Sequence, residues 1–166
     1  MALKTDRSTL QTDISFFMNE AATRGGVVTL STAGSGASMD NGSALVTYAA
    51  APSGTVALGL LLNDMVSIDL TRQHLNQHKD EVQKGGKVTL LQKGWVVTSS
   101  LEGTDPNGGD LAYLAHSGNI AASNIGGDDA AAEMVIGRFL SDVDEDGYAK
   151  VFIDLPNMAI THSVHT

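Results

Sequence analysis

A chain of 166 residues with 42% hydrophobic content suits a single domain, and at that length folding buries roughly two-thirds of the unfolded surface. A net charge of −9 argues against nucleic-acid binding, which wants a basic face, and equally disfavours an anionic membrane surface. The absence of cysteine rules out disulfides and thiol-based metal or redox sites, and no apolar run approaches the ~20 residues of a membrane-spanning helix.

In chain order, residues 1–11 alternate weakly and carry Lys4, Asp6 and Arg7, so they read as an extended arm with no signal-peptide core. Ile14-Ser15-Phe16-Phe17-Met18-Asn19-Glu20 is a short apolar burst holding two of the four phenylalanines. It reads as an anchor that docks either on the chain's own body or on a neighbouring chain. Gly25-Gly26 opens a strand at residues 27–31, identified by its β-branched content. Residues 33–43 form a glycine-bearing loop. Its Gly34-Ser35-Gly36-Ala37-Ser38-Met39 lacks the third glycine of a dinucleotide fingerprint, and no strand–helix unit comes after it. Residues 44–48 and 55–62 are strands around a turn, with Gly59 marking a bulge or bend. Val66, Ile68 and Leu70 alternate with Ser67 and Asp69 as in a half-buried strand. Residues 71–84 hold only Leu75 and Val82 as large apolar groups, too few for a packed helical stripe, and read as an exposed excursion.

The strongest local signal is Gly85-Gly86-Lys87-Val88-Thr89-Leu90-Leu91-Gln92-Lys93-Gly94-Trp95-Val96-Val97-Thr98. Two β-rich runs, 88–91 and 95–98, flank Gln-Lys-Gly and predict a central hairpin. Trp95, the only tryptophan, is expected at a centre of packing, because one large ring buries about 200 Å². Asp105-Pro106-Asn107-Gly108-Gly109 is a turn. A second hairpin is predicted around His116-Ser117-Gly118, and a third joins residues 134–140 to 148–155 through 141–147. Nine or ten short strands without an amphipathic helix predict an all-β fold, a compact β-barrel or β-sandwich of short antiparallel strands. The boundaries expected are an N-terminal arm with its apolar anchor at 1–24, a β-body at 25–156 and a C-terminal tail at 157–166.

No constellation carries catalysis. Asp142-Val143-Asp144-Glu145-Asp146-Gly147 copies the first half of a calcium loop, but the twelfth position is Ile153 rather than a bidentate glutamate. Asp142, Asp144 and Asp146 are therefore weak metal candidates, and an acidic hairpin turn that keeps a sheet edge soluble is the simpler reading. His74 and His78 are four apart but lack a third ligand, and His162 and His165 fall in the tail. There is no Gly-x-Ser-x-Gly elbow, and Asp128-Asp129 sit in a loop without apolar walls. No enzyme activity, cofactor or metal is expected.

The chain resembles a family of small β-rich proteins of tailed bacteriophages. The residues that carry this are Gly109-Asp110-Leu111-Ala112-Tyr113, Gly118-Asn119-Ile120, Val135-Ile136-Gly137-Arg138-Phe139-Leu140 and Ala149-Lys150-Val151-Phe152-Ile153-Asp154-Leu155. The opening Met-Ala-Leu-Lys-Thr-Asp-Arg and the block Asp13-Ile14-Ser15-Phe16-Phe17-Met18-Asn19-Glu20 are similar too. The resemblance implies a capsid decoration, or cement, protein: made in the host cytoplasm, bound to the major capsid protein on the outer surface of the virion head, and often trimeric. On that footing Ile14, Phe16, Phe17 and Met18 are the expected anchors at the capsid or subunit interface, and Trp95 is expected in the core of the body or at the trimer axis, within a homotrimer that touches neither nucleic acid nor membrane. A tail or head-fibre base component and a carbohydrate-binding β-module on the virion remain the alternatives.

Overall fold

Strand β8 (Leu90–Thr98) carries the architecture. A computed structural model describes residues 2–32, 44–52, 54–62, 81–123 and 134–155. The predicted central hairpin is here a single strand: Gln92-Lys93-Gly94 runs straight through instead of turning. The reason lies in β1 (Leu3–Asp13), which pairs antiparallel with β8 along its whole length. At Gly94, φ is +146°, and a Cβ would stand 2.0 Å from the Ser8 carbonyl oxygen. The glycine marks a close approach of two backbones, the other common meaning of glycine inside a strand.

The opposite edge of β8 is shared. Its start pairs with β6 (Ala57–Leu61) through Leu60↔Leu91 and Leu61↔Leu90. Its remainder pairs with β13 (Ala149–Asp154), from Ala149↔Thr98 to Asp154↔Lys93. One half-sheet continues from β6 through β4 (Val27–Thr32) and β5 (Leu45–Thr47) to β2 (Phe17–Met18). The other runs from β13 through β12 (Val135–Phe139), β10 (Leu111–Leu114) and β11 (Ile120–Ala121) to β9 (Leu101–Glu102). A separate two-stranded sheet joins β3 (Ala22–Thr23) to β7 (Glu81–Val82).

The fold is all-β, as expected, but it is neither a closed barrel nor purely antiparallel. The path ends at β2 and β9 without joining them, and the β2–β5 and β9–β11 pairs are parallel. The hairpins predicted around His116–Gly118 and between β12 and β13 are present. The two half-sheets fold over one core: Val27, Ala57 and Leu60 pack with Leu114, Ile136, Phe139, Val151 and Ile153. A turn seals the closure. Ser117 donates its amide to the Ala49 carbonyl at 2.7 Å. A Cβ at Gly118 would reach within 2.5 Å of the Tyr48 ring, so only glycine lets the two halves meet there.

A second apolar cluster covers the other face of the first half-sheet, where Val28, Val46, Leu61 and Leu90 pack under Met18, Ala22, Val82 and Val88. This explains why β6 reads as a continuous apolar run: neighbouring side chains point to opposite faces, and both faces are covered. Strand β13 instead alternates buried and half-buried residues, with one face in the core and one outside. The loop at 33–43, the strand expected at 65–70, most of the polar excursion, Asp128-Asp129 and the tail lie outside the described residues, as do His74, His78, His162 and His165.

Candidate interaction site

The N-terminal block leads directly on from β1. Asp13 accepts the Ser15 amide at 2.7 Å, an aspartate turn that swings the chain off the strand at Ile14. Residues 16–19 then thread between β5 and the chain at 85–88. Phe17 donates to Ala44 at 3.0 Å, Met18 to Gly86 at 2.9 Å, and the Met18 carbonyl accepts Gly85 at 2.7 Å. Met18 has no exposed surface and Phe16 packs against the second cluster. Phe17 is half-buried, with the Lys87 ammonium 5.3 Å from its ring centroid. Of the four expected anchors, Ile14 alone is exposed, at 36%. Leu10, on β1, is exposed at 66%.

Residues 20–23 are tied down by groups that sequence alone does not single out. The Glu20 carboxylate accepts the Tyr48 amide at 2.7 Å and the Thr47 hydroxyl. The Tyr48 hydroxyl donates to the Thr23 carbonyl at 2.5 Å, and burial pushes this phenol well above its ordinary range. The signal in the sequence is faint: a lone glutamate at the end of an apolar burst needs a partner, but nothing nearby names it.

Trp95 belongs to neither buried cluster. It is half-buried on the outer face of β8, because Val96 and Thr98 take the inward positions. The register aligns one row across five strands: Leu111↔Arg138, Arg138↔Phe152, Phe152↔Trp95 and Trp95↔Ser8. The Lys150 ammonium lies over the indole at 3.8 Å, a cation–π contact, and Lys93 pairs with Asp154 at 3.4 Å. Arg138 donates to the Gly109 carbonyl at 3.0 Å.

The acidic turn between β12 and β13 uses its carboxylates on itself. Asp144 accepts the amides of Asp146 at 3.0 Å and Tyr148 at 2.7 Å, and its second oxygen takes the Lys4 ammonium at 2.8 Å. The Lys4 hydrogen bond, with the turn amides, holds Asp144 below its usual range and raises Lys4. Asp142 accepts the Gly108 amide at 2.8 Å, and Asp146 is exposed. Ile153, at the position a calcium loop would give to glutamate, is fully buried in the core. Among the described residues no group of three or more His, Asp or Glu is placed to hold a metal ion, and no helix is long and apolar enough to cross a membrane.

The model of a phage family, described as structural cement protein (E217 gp24/Pam3 gp6), matches residues 4–154. The chain belongs to this family of phage structural cement proteins. The match runs from β1 to the last residue of β13, so it takes in the N-terminal strand and the β-body together. A search of curated proteins found no match. A cement protein is a structural component of the phage capsid, and its work is done by surfaces. Among the described residues, exposed apolar side chains stand at Leu10 and Ile14 in the N-terminal segment, at Leu30, Val56 and Leu140 elsewhere, and at Leu111 on the outer sheet face that also carries half-buried Trp95.

Proposed function

We propose that this cement protein binds the outside of the phage head through the major capsid protein and stabilises the shell as a non-catalytic homotrimer, after synthesis in the host cytoplasm. The family match over residues 4–154 carries the reading. The net charge of −9 supports an outer position, since an acidic body is repelled by packaged DNA. Docking falls to the N-terminal segment. Leu10 and Ile14 make the contact, Phe16 and Phe17 flank it, and Met18 holds the segment in place from beneath. Three copies about a shared axis multiply modest contacts into high avidity.

Removing the first twenty residues would strip β1 from β8 and Met18 from the second cluster, so truncation tests folding rather than docking. The informative variants are Leu10→Asp and Ile14→Asp. Each is expected to leave the melting temperature unchanged and to lower occupancy on purified heads that lack the protein, read by cryo-microscopy or co-sedimentation. Full occupancy by both variants would refute the docking strip. Failure of the wild-type protein to bind such heads would refute the capsid reading itself.

A further inference from the structure

The outer face of β8, β13 and β12 has a composition that neither the core nor the docking strip explains. Its half-buried and exposed side chains include Trp95, Val97, Phe152 and Leu111, and around them stand Lys93, Lys150 and Arg138. Asp154 is the one carboxylate in the rows that pair β8 with β13. On a chain of net charge −9 this is a local inversion of sign. Tryptophan and arginine are also the residue types that dominate interface energetics, and interface centres are poor in acidic groups.

We propose that this face is the seat for a second copy of the same chain, which presents its acidic β12–β13 turn. The turn supplies the complementary charge. Asp142 and Asp144 fix its shape through Gly108, Lys4 and the turn amides, and Glu145 and Asp146 are exposed at its tip. A face of one copy that takes a different surface of the next is a head-to-tail contact, and such contacts close into rings when the rotation permits. Apolar contact on Trp95 and Phe152 supplies affinity, and the charges set the register. The inference rests on the self-association in the proposed function, and it names the surfaces that make it.

The test is the mass of the full-length protein in solution by sedimentation equilibrium, which needs no capsid and so fails separately from head binding. The wild type is expected to associate. Lys93→Glu with Lys150→Glu, and separately Glu145→Lys with Asp146→Lys, should each weaken association at least about tenfold while keeping the wild-type circular dichroism spectrum. Combining all four substitutions reverses both surfaces and should restore association. Should a charge-reversed protein fail to fold, Lys93→Gln with Lys150→Gln and a rise to ~0.5 M salt take its place, and both should weaken association. A wild type that sediments as a single chain, double variants that associate like the wild type, or a folded fourfold variant that stays a single chain would each overturn the proposal. Double variants that keep the wild-type mass but lose the head would assign the face to the shell instead, and would overturn it as well.

Discussion

Replacing Gly94 by alanine tests whether β1 is held on β8 as tightly as the backbone geometry demands. The new Cβ would sit 2.0 Å from the Ser8 carbonyl oxygen, at a φ of +146°. Left-handed backbone strain for an L-residue costs about 1–2 kcal/mol. Overpacking adds about 1–3 kcal/mol, and because the obstacle is a backbone carbonyl that cannot rotate away, the upper part of that range applies. Gly147→Ala is the control. Its φ is +82°, and nothing lies within 4 Å of its would-be Cβ, so it carries the strain without the collision. The excess of Gly94→Ala over Gly147→Ala in urea unfolding is therefore expected at about 2–3 kcal/mol, or roughly 4–12 °C in melting temperature for a chain of this size. Hydrogen exchange supplies the local readout: the amides of residues 8–12 should exchange faster in Gly94→Ala alone, as β1 lifts. Equal destabilisation by the two variants, within about 0.5 kcal/mol, would refute the close approach.

Met18→Ala is expected to cost about 2–5 kcal/mol in chemical denaturation, because it empties a fully buried site in the second cluster. Ile14→Ala should stay within about 1 kcal/mol of wild type, and a reversed ranking would show that the segment packs differently. Asp144, whose pKa is depressed by Lys4 and the turn amides, contributes stability that is present above the ordinary value of 3.8 and is lost as pH falls through its folded value. Lys4 is raised, so its share is present below 10.5 and is lost as pH rises through its folded value. Melting curves of wild type and Asp144→Asn should accordingly differ most between about pH 5 and 9 and draw together as pH falls below the ordinary carboxylate range, and a difference that does not shrink on acidification would contradict the assignment.

The class of the fold was legible in the sequence because short β-branched runs separated by turn residues are local signals, and so are the hairpins at His116–Gly118 and Asp142–Gly147. The central hairpin failed for the opposite reason. Gln92-Lys93-Gly94 has turn chemistry, and the feature that keeps it straight is Ser8, more than eighty residues away in the chain. Met18 reads as an anchor that could dock on its own body or on a neighbour, and the residues that bury it, 82–88, lie more than sixty positions away, beyond any local window. The position of Trp95 was closer to hand. Lys93, Trp95 and Val97 alternate with Gly94, Val96 and Thr98, and the even clearer alternation of Lys150, Phe152 and Asp154 in β13 is the signature of a sheet with one free face. Period two, weighted over the size of the ring, would have placed the tryptophan outside.

The same long-range pairing bears on how a cement protein could carry load. If the head is gripped at Leu10 and Ile14, tension enters the molecule along β1. That strand lies antiparallel on β8 from Leu3↔Thr98 to Asp13↔Leu90, so a pull along its axis loads the ladder together rather than peeling it one bond at a time. Strand β8 passes the load to both half-sheets, through Leu60 and Leu61 at one end and through β13 along the rest. Register shifts at residues 3–7 and 9–12 leave β1 bent and irregular, a feature that disfavours stray pairing on an edge strand. The grip would thus sit on a strand paired directly with β8, the strand that joins both half-sheets, and loosening that pairing at Gly94 should weaken shell reinforcement even where Leu10 and Ile14 are intact.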